Sequence, residues 1–247
     1  RMYRAARYER RYGFHIAAAT LGLIPAARPI VQKLSAHRIR HELDLILEEA
    51  RAVEMLERLG QLDLLQAIHP ALSFDDGAAR RIKRTASDVP FPMPHWPAHG
   101  IRWVAWLMAM PQAEIDALNG RLHFGAGLFK ALSSASRLSA EMGSLQGAPA
   151  SRWVGRLDAE PLLGVYAVFL ASEPGASRTA LSKYLAEWRH VRPKTNGNDL
   201  KKLGLRPGAE YGRILGELRR ARLDGQIQDD ADEHGYLQAL LERQSDP

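Results

Sequence analysis

The sequence predicts an all-α protein, and three observations support that prediction. Alanine, leucine, arginine and glutamate are abundant, apolar residues recur at three- and four-residue spacing, and period-two alternation of β-branched or aromatic residues is rare. A chain of 247 residues can bury a substantial core, so we expect two or three helical units. Four prolines between Pro90 and Pro97 indicate a loop, and Gly147 followed by Pro149 indicates a boundary.

In the first third of the chain, apolar periodicity predicts four helices, over residues 2–19, 36–59, 61–68 and 74–84. The first of them has Arg4, Arg7 and Arg11 on one face. Gly13 costs about 1 kcal/mol relative to alanine inside a helix, so a bend or break is expected there. Ser35 is expected to cap the second helix, and Pro25 and Pro29 are expected to bracket the turn before it.

In the middle of the chain, the same pattern predicts five further helices, over residues 101–110, 111–118, 127–145, 157–171 and 177–190. Trp103 and Trp106 lie in the first of these, which is apolar on most sides and predicts a core helix. Tyr184 and Trp188 are four residues apart in the last. Their rings either belong to the core or form a platform for nucleic-acid bases, and the pattern favours the core because aromatic side chains are usually buried.

Residues 192–225 predict a short helix, a glycine turn and a longer helix. Asn198 or Asp199 is expected to cap the short helix, Gly204 to end it, and Pro207 to occupy the first position of the next. The apolar stripe of the longer helix consists of Ile214, Leu215, Leu218 and Leu223.

The turn between these two helices is a candidate anion site. It is expected to leave backbone N–H groups free beside a helix N-terminus, where the helix dipole favours negative charge. The cations expected around it are Lys194, Lys201, Lys202 and Arg206. The alternative is an ordinary two-helix hairpin with a solvated basic face.

Positive charge is concentrated in two segments. Residues 1–40 have a net charge of +8 and residues 189–225 one of +6, whereas the remainder of the chain has a net charge of −8. Such segregation favours a localised contact with a polyanion over uniform solubilising charge. The absence of cysteine excludes disulfides, thiolate nucleophiles and cysteine-ligated zinc. No apolar run is long enough for a membrane span.

Carboxylates that could catalyse a reaction are not evident. The adjacent pairs at residues 75–76 and 229–230 lack the alternate spacing that points two carboxylates to the same side of a strand. His37 and His41 have the spacing of two zinc ligands, but Arg38 stands where a metalloprotease helix has glutamate. We therefore interpret the two histidines as a surface or salt-bridged pair.

Three motifs resemble bacterial tRNA nucleotidyltransferases, the CCA-adding enzymes, and the related poly(A) polymerases. The tail resembles their signature GxDLxxLGLxPGxxxGxxLxxLxxAxLDG, with Ala209 at a position where a second proline is usual. Residues 1–20 resemble the family helix RxxRAxRFxxxxGFxI, with Tyr8 in place of phenylalanine. Residues 34–43 resemble the family motif SxERIxxEL, with His37 in place of glutamate. Between residues 50 and 191 the likeness is mainly generic helix.

The resemblance implies an all-α neck, body and tail array without the catalytic α/β head. The expected divisions are a neck-like domain at residues 1–65, a helical body at 66–190 and a tail with a basic glycine turn at 191–247. Arg1 falls on the arginine of the family's EDxxR motif. The two acidic residues of that motif, and the head whose carboxylates hold two metals, would precede Arg1, so we expect a C-terminal fragment.

The resemblance also implies what the chain binds. No catalytic or metal-ligating residue is expected in it, and the parent enzyme would use Mg²⁺ with CTP or ATP. Nucleotide binding is expected at Arg1 and Arg4, because a guanidinium group can match a base edge with two acceptors. RNA binding is expected at Arg7, Arg11, Lys194, Lys201, Lys202, Arg206 and Gly208. Expected partners are tRNA or other RNA and the missing head, in the cytoplasm.

Two alternatives of a different class stay open on the residues alone. One is a stand-alone helical nucleic-acid-binding module whose tail turn grips phosphates. The other is a helical scaffold without an enzymatic role. A GxD and DxD strand pair upstream of this sequence would decide in favour of the nucleotidyltransferase.

Overall fold

The computed structural model describes residues 1–87, 89 and 91–245, and within them it contains helices and no strands. In chain order the α-helices are α1 (Met2–Tyr12), α2 (Ala18–Ala27), α3 (Ala36–Glu48), α4 (Ala52–Gln61), α5 (Leu64–Ile68), α6 (Asp76–Arg84), α7 (Ala98–Leu107), α8 (Gln112–Leu122), α9 (Ala126–Glu141), α10 (Ala150–Leu157), α11 (Leu162–Ala171), α12 (Ala176–Ala186), α13 (Gly197–Lys202), α14 (Ala209–Leu223) and α15 (Asp230–Ser245). Short 3₁₀ helices cover Arg28–Lys33, Met142–Leu145 and Trp188–His190. The all-α prediction is confirmed. None of the helices described is long and apolar enough to cross a membrane.

The chain forms two compact units. Unit 1 combines Arg1–Ser144 with Glu160–Arg178, and unit 2 combines Leu145–Ala159 with the described residues from Thr179 onward. These units describe packing within the chain, whereas the neck, body and tail boundaries at residues 65 and 190 were drawn from the resemblance. Those boundaries stay a prediction.

The core of unit 1 lies around α7, which packs against α3, α6, α9 and α11. Trp103 is fully buried, and its ring stacks on that of Trp106 with centroids 5.2 Å apart. Each indole N–H is satisfied, since Trp103 donates to Asp44 Oδ1 at 2.6 Å and Trp106 to Ser73 O at 2.8 Å. The predicted core helix at residues 101–110 is thus confirmed.

Several half-buried arginines of unit 1 bind helix C-termini. Arg102 donates to the carbonyls of Leu47 and Glu49 at 2.6 and 2.7 Å, where α3 ends. Arg81 donates to Ala105 O and Trp106 O at 2.8 and 3.1 Å, in the last turn of α7. Burial lowers the pKa of both guanidinium groups, although the charged form persists at any ordinary pH. The last carbonyls of a helix have no intrahelical partner, so these contacts satisfy groups that would otherwise be buried unpaired.

Three predicted helices are shorter than the periodicity suggested. Gly13 adopts φ 72° and ends α1 at Tyr12, as the expected bend or break at this glycine allowed. The helix predicted over residues 36–59 is interrupted at Glu49, which is extended with ψ 146°, so α3 and α4 are separate. The helix predicted over residues 157–171 begins only at Leu162, because Pro161 disfavours helical backbone at the residue before it.

Two proline predictions were wrong. Pro25 lies inside α2 rather than in a turn, and Pro29 lies in the first turn of the 3₁₀ helix that follows, which begins at Arg28. Pro29 is tolerated because proline is compatible with the first turn of a helix. Pro25 is tolerated because α2 is short and runs into a 3₁₀ segment, so few backbone hydrogen bonds are lost to the missing N–H of proline. Part of the predicted proline loop, Asp88 and Pro90, lies outside the described residues.

Helices α9 and α11 approach closely at Gly164. A methyl group added there would lie 3.0 Å from Ala131 O and 3.2 Å from Ser134 Oγ, both on α9. Ser134 is fully buried, so the neighbouring atoms have little room to move.

We therefore expect Gly164→Ala to destabilise the protein by about 1 to 3 kcal/mol, despite the better helix propensity of alanine. Gly120→Ala on α8 is a matched control, because no atom lies within 4 Å of the added methyl group. The control should stabilise by up to about 1 kcal/mol. Urea denaturation followed by circular dichroism measures both, and equal effects of the two variants would contradict the close approach.

Candidate nucleic-acid interface

The arginines predicted to line one face of α1 have different environments. Arg4 and Arg11 are exposed, and they pair with Glu42 at 2.9 Å and Glu49 at 2.8 Å. Arg7 is only 7% exposed, so it packs inside unit 1 rather than presenting its charge to a ligand. Exposed ion pairs contribute little to stability, so Arg4 and Arg11 can exchange a carboxylate for a phosphate at small cost.

Arg1 and Arg4, the predicted nucleotide-binding residues, line a cavity of ≈ 500 Å³ in unit 1. The other lining residues are Tyr3, Leu34, His37, Arg38, Ile39, His41 and Glu42. The structure thus brings the first helix together with the segment that resembles SxERIxxEL. The tyrosine hydroxyl on the cavity wall donates to Leu64 O at 2.8 Å, and burial raises its pKa.

The two histidines with zinc-ligand spacing lie on the wall of this cavity. His37 and His41 are exposed on α3, and their rings are parallel with centroids 6.3 Å apart. Their spacing of four residues predicted a shared face, but nothing local in the sequence placed that face beside Arg1. The cavity therefore presents cations and stacked rings together, which suits an anionic or aromatic ligand.

The tail turn is exposed, as an anion site requires. Lys201, Lys202, Arg206 and Gly208 are all exposed to solvent. Gly204 adopts φ 85° and donates its N–H to Lys201 O at 3.0 Å, which ends α13 as predicted.

The long tail helix begins later than predicted. Gly208 is its N-cap and Ala209 its first residue, so Pro207 lies outside the helix. No side chain caps this N-terminus, although the N–H of Tyr211 in its first turn donates to Gly208 O at 3.1 Å. The amides before Tyr211 are left to solvent or a ligand. On the other side of the turn, Asn196 rather than Asn198 or Asp199 caps α13, and Asp199 completes a capping box with it.

Lys194 lies beside a buried carboxylate. Its ammonium pairs with Asp230, and its backbone N–H donates to Glu233 at 3.2 Å. Glu233 is 2% exposed and also accepts hydrogen bonds from Thr195 N and Oγ1, both at 2.7 Å, and from Arg222. Burial acts to raise its pKa, but these hydrogen bonds outweigh burial and hold the pKa below its ordinary value. The carboxylate fixes the segment that carries Lys194.

The apolar side of the tail matches the predicted stripe. Ile214 and Leu218 are buried with Leu200, Ala221, Ile227 and Leu237. Tyr184 is buried in unit 2, as predicted, and donates to Asp158 at 3.2 Å; burial and that carboxylate raise its pKa to about 12. Trp188 is half-buried in a 3₁₀ helix.

The described residues do not fit a catalytic metal. No three histidine, aspartate or glutamate side chains among them converge to hold an ion. The adjacent carboxylates have structural partners instead: Asp75 caps α6 by accepting from Ala78 N at 2.6 Å, and Asp230 pairs with Lys194 and Arg222. No step of nucleotidyl transfer can be assigned to these groups.

The fold is that of the CCA-adding enzymes. The Thermotoga maritima CCA-adding enzyme complexed with tRNA superposes with a TM-score of 0.77 over 97% of this chain and 60% of that chain, at 19% identity. A CCA-adding enzyme in complex with ATP superposes with the same TM-score over 59% of its length, at 20% identity.

Sequence comparison also finds tRNA nucleotidyltransferases. The A-adding tRNA nucleotidyltransferase of Geobacter sulfurreducens is 28% identical over 92% of this chain, and that of Halalkalibacterium halodurans is 24% identical over 94%. A family model for the probable RNA- and SrmB-binding site of polymerase A matches residues 13–75. The chain spans 27% and 54% of the length of the two relatives. The predicted resemblance to the C-terminal region of tRNA nucleotidyltransferases is confirmed.

Glu233→Gln should destabilise unit 2 by about 2 to 4 kcal/mol, because a neutral amide turns an N–H₂ group toward donors and leaves Arg222 without its buried counter-charge. The folded carboxyl has a lowered pKa, so its stabilisation is complete above the ordinary value of 4.5 and is lost as the pH falls through the folded value. The loss of stability below pH 4.5 should therefore be smaller in the variant.

Glu217→Gln is the control, since Glu217 pairs with Arg220 on the surface of the same unit. It should change stability by less than about 1 kcal/mol. Thermal unfolding between neutral and acidic pH measures both variants. An unchanged pH profile in Glu233→Gln would show that this carboxylate does not stabilise the unit.

Proposed function

We propose that this chain is the RNA-binding part of a tRNA nucleotidyltransferase, which positions the acceptor arm of tRNA for addition of nucleotides to its 3′ end. The observation that carries the proposal is similarity to two A-adding tRNA nucleotidyltransferases over more than nine-tenths of the chain. It is supported by the exposed basic turn in unit 2 and the cationic cavity in unit 1. A stand-alone binding module or a scaffold would not account for that similarity.

In this proposal RNA is held by its phosphates and shape. The amides at the start of α14 and the cations of the tail turn face one phosphate, where oriented dipoles and positive charge act together. Such contacts carry no sequence information, which suits recognition of all tRNAs by their common acceptor arm.

Nucleotide selection is proposed for the cavity lined by Arg1 and Arg4. The solved neighbours include CCA-adding enzymes in complex with ATP and with CTP, which supports nucleoside triphosphates as substrates of the whole enzyme. The phosphoryl chemistry, with Mg²⁺, is proposed to use carboxylates that the described residues do not supply. We propose that the enzyme works in the cytoplasm.

The tail turn should contribute to tRNA affinity through charge. Lys201→Ala, Lys202→Ala and Arg206→Ala together should weaken binding. The slope of log K against log salt should fall by about 0.7 to 0.9 for each phosphate that the variant no longer neutralises. Filter binding of tRNA at several salt concentrations measures both quantities.

A control variant removes the same number of charges from exposed positions of unit 1, at Arg80, Lys83 and Lys130. Its salt slope should match that of the unchanged protein. Equal slopes in the two triple variants would show that the tail turn is no more a binding site than any other basic surface.

Substitution of the arginines of α1 should affect tRNA binding at two positions and protein stability at the third. Arg4→Ala and Arg11→Ala should each weaken tRNA binding with little change in stability, because both side chains are exposed. Arg7→Ala should leave the salt slope unchanged and destabilise the protein by about 1 to 3 kcal/mol, because the packing of its buried stem is removed. Denaturation and filter binding on the three variants test this, and a reduced slope in a fully stable Arg7→Ala would contradict it.

A further inference from the structure

Three aromatic rings form an exposed surface at the C-terminal end of α1, which we call the aromatic ladder: Tyr8, Tyr12 and Phe14. Their exposed fractions are 37%, 54% and 63%. The ring centroids of Tyr8 and Tyr12 lie 5.5 Å apart, and those of Tyr12 and Phe14 lie 5.6 Å apart. Each ring contacts the next, so the three form one continuous apolar face in solvent.

The ladder follows from how α1 ends. Tyr8 and Tyr12 are one helical turn apart and share a face. Gly13 then adopts the left-handed conformation with φ 72°, which turns the chain and brings Phe14 beside Tyr12. A methyl group at Gly13 would meet no atom within 4 Å, so the glycine is required for its φ and not for space.

Guanidinium groups lie over the rings. Arg7 Cζ lies 5.2 Å from the centroid of Tyr8, and Arg11 Cζ lies 5.4 Å from that of Tyr12. Residues 1–40 contain a single acidic residue, Glu9, which is buried and paired with Arg58 at 2.7 Å. The first forty residues therefore supply no unpaired carboxylate near the ladder.

The combination of aromatic rings with positive charge indicates, by charge complementarity, which kind of partner binds the ladder. A protein partner would bury the rings at the cost of desolvating the exposed guanidinium group of Arg11, whereas Arg7 is already buried. Single-stranded nucleic acid offers a stackable base and a phosphate in every nucleotide, and binding sites for it combine aromatic platforms with positive charge.

We infer that the aromatic ladder is a stacking platform for unpaired bases of the bound RNA. The inference rests on the proposed RNA-binding function and assigns to this surface a contact with bases, beside the phosphate contacts of the tail turn. Stacking accepts any base because every base has a π-face, so the ladder adds affinity for single strands without selecting a sequence.

Three RNA probes separate stacking from charge: a blunt hairpin, the same hairpin with a short single-stranded adenosine tail, and the same tail built from abasic riboses. The two tails carry the same phosphates. The unchanged protein should bind the adenosine tail about tenfold more tightly than the abasic tail, the scale of one stacked base.

Two double variants test the rings. Tyr12→Leu with Phe14→Leu keeps apolar side chains of similar reach but removes the π-faces of the two more exposed rings, so the preference for the adenosine tail should fall sharply while the salt slope stays the same. Tyr12→Phe with Phe14→Tyr exchanges the two rings and should keep the preference. Leu23→Ala removes an exposed apolar side chain from α2 and should have no effect on it.

Each result is decisive. If the unchanged protein binds the adenosine and abasic tails equally, or if the leucine variant keeps the full preference for adenosine, the ladder is not a stacking platform. Binding of the blunt hairpin in those cases would leave the proposed RNA-binding function intact. If none of the three probes binds, both the ladder and the proposed function are refuted.

Discussion

Unit 1 depends on guanidinium groups that bind the ends of its helices. Its helices are short, so many terminal carbonyls must find partners outside their own helix. Arg102 supplies donors to the end of α3, Arg81 to the end of α7, and Arg40 to the end of α8 through Leu122 O at 3.2 Å. Arginine suits this task because five donors on one rigid plane can reach two carbonyls at once, and burial does not discharge it.

This use of arginine changes how the net charge of the chain relates to function. A basic segment suggests a polyanion site only where its charges reach solvent. Arg7 is buried, and Arg58 serves mainly to compensate the buried Glu9. Exposed cations within the two basic segments include those of the tail turn and Arg4 and Arg11 on α1, and these two surfaces carry the functional proposals.

In unit 2 a buried carboxylate binds backbone groups, as the arginines of unit 1 do. Glu233 accepts hydrogen bonds from the backbone of Lys194 and Thr195, so a segment without secondary structure is fixed to α15. The fixed segment leads into Asn196, which caps α13, and α13 leads into the tail turn. The position of the turn is thus tied to one buried charge, which links the stability of the unit to the geometry of its candidate site.

The sequence by itself determined what depends on near neighbours along the chain. Ser35 and Gly204 acted at helix ends as predicted, Ile214 and Leu218 formed the apolar stripe, and the motifs at both ends gave the resemblance that the comparisons confirmed. These signals are local, since capping and periodicity involve residues a few positions apart. Only the tertiary structure decided that Arg7 is buried, that α3 stops where Arg102 binds its last carbonyls, and that His37 and His41 line the same cavity as Arg1. Each of these facts depends on a contact with a residue tens of positions away in sequence, or on which side of a helix a neighbouring element covers. Helical periodicity does not indicate which element that neighbour is.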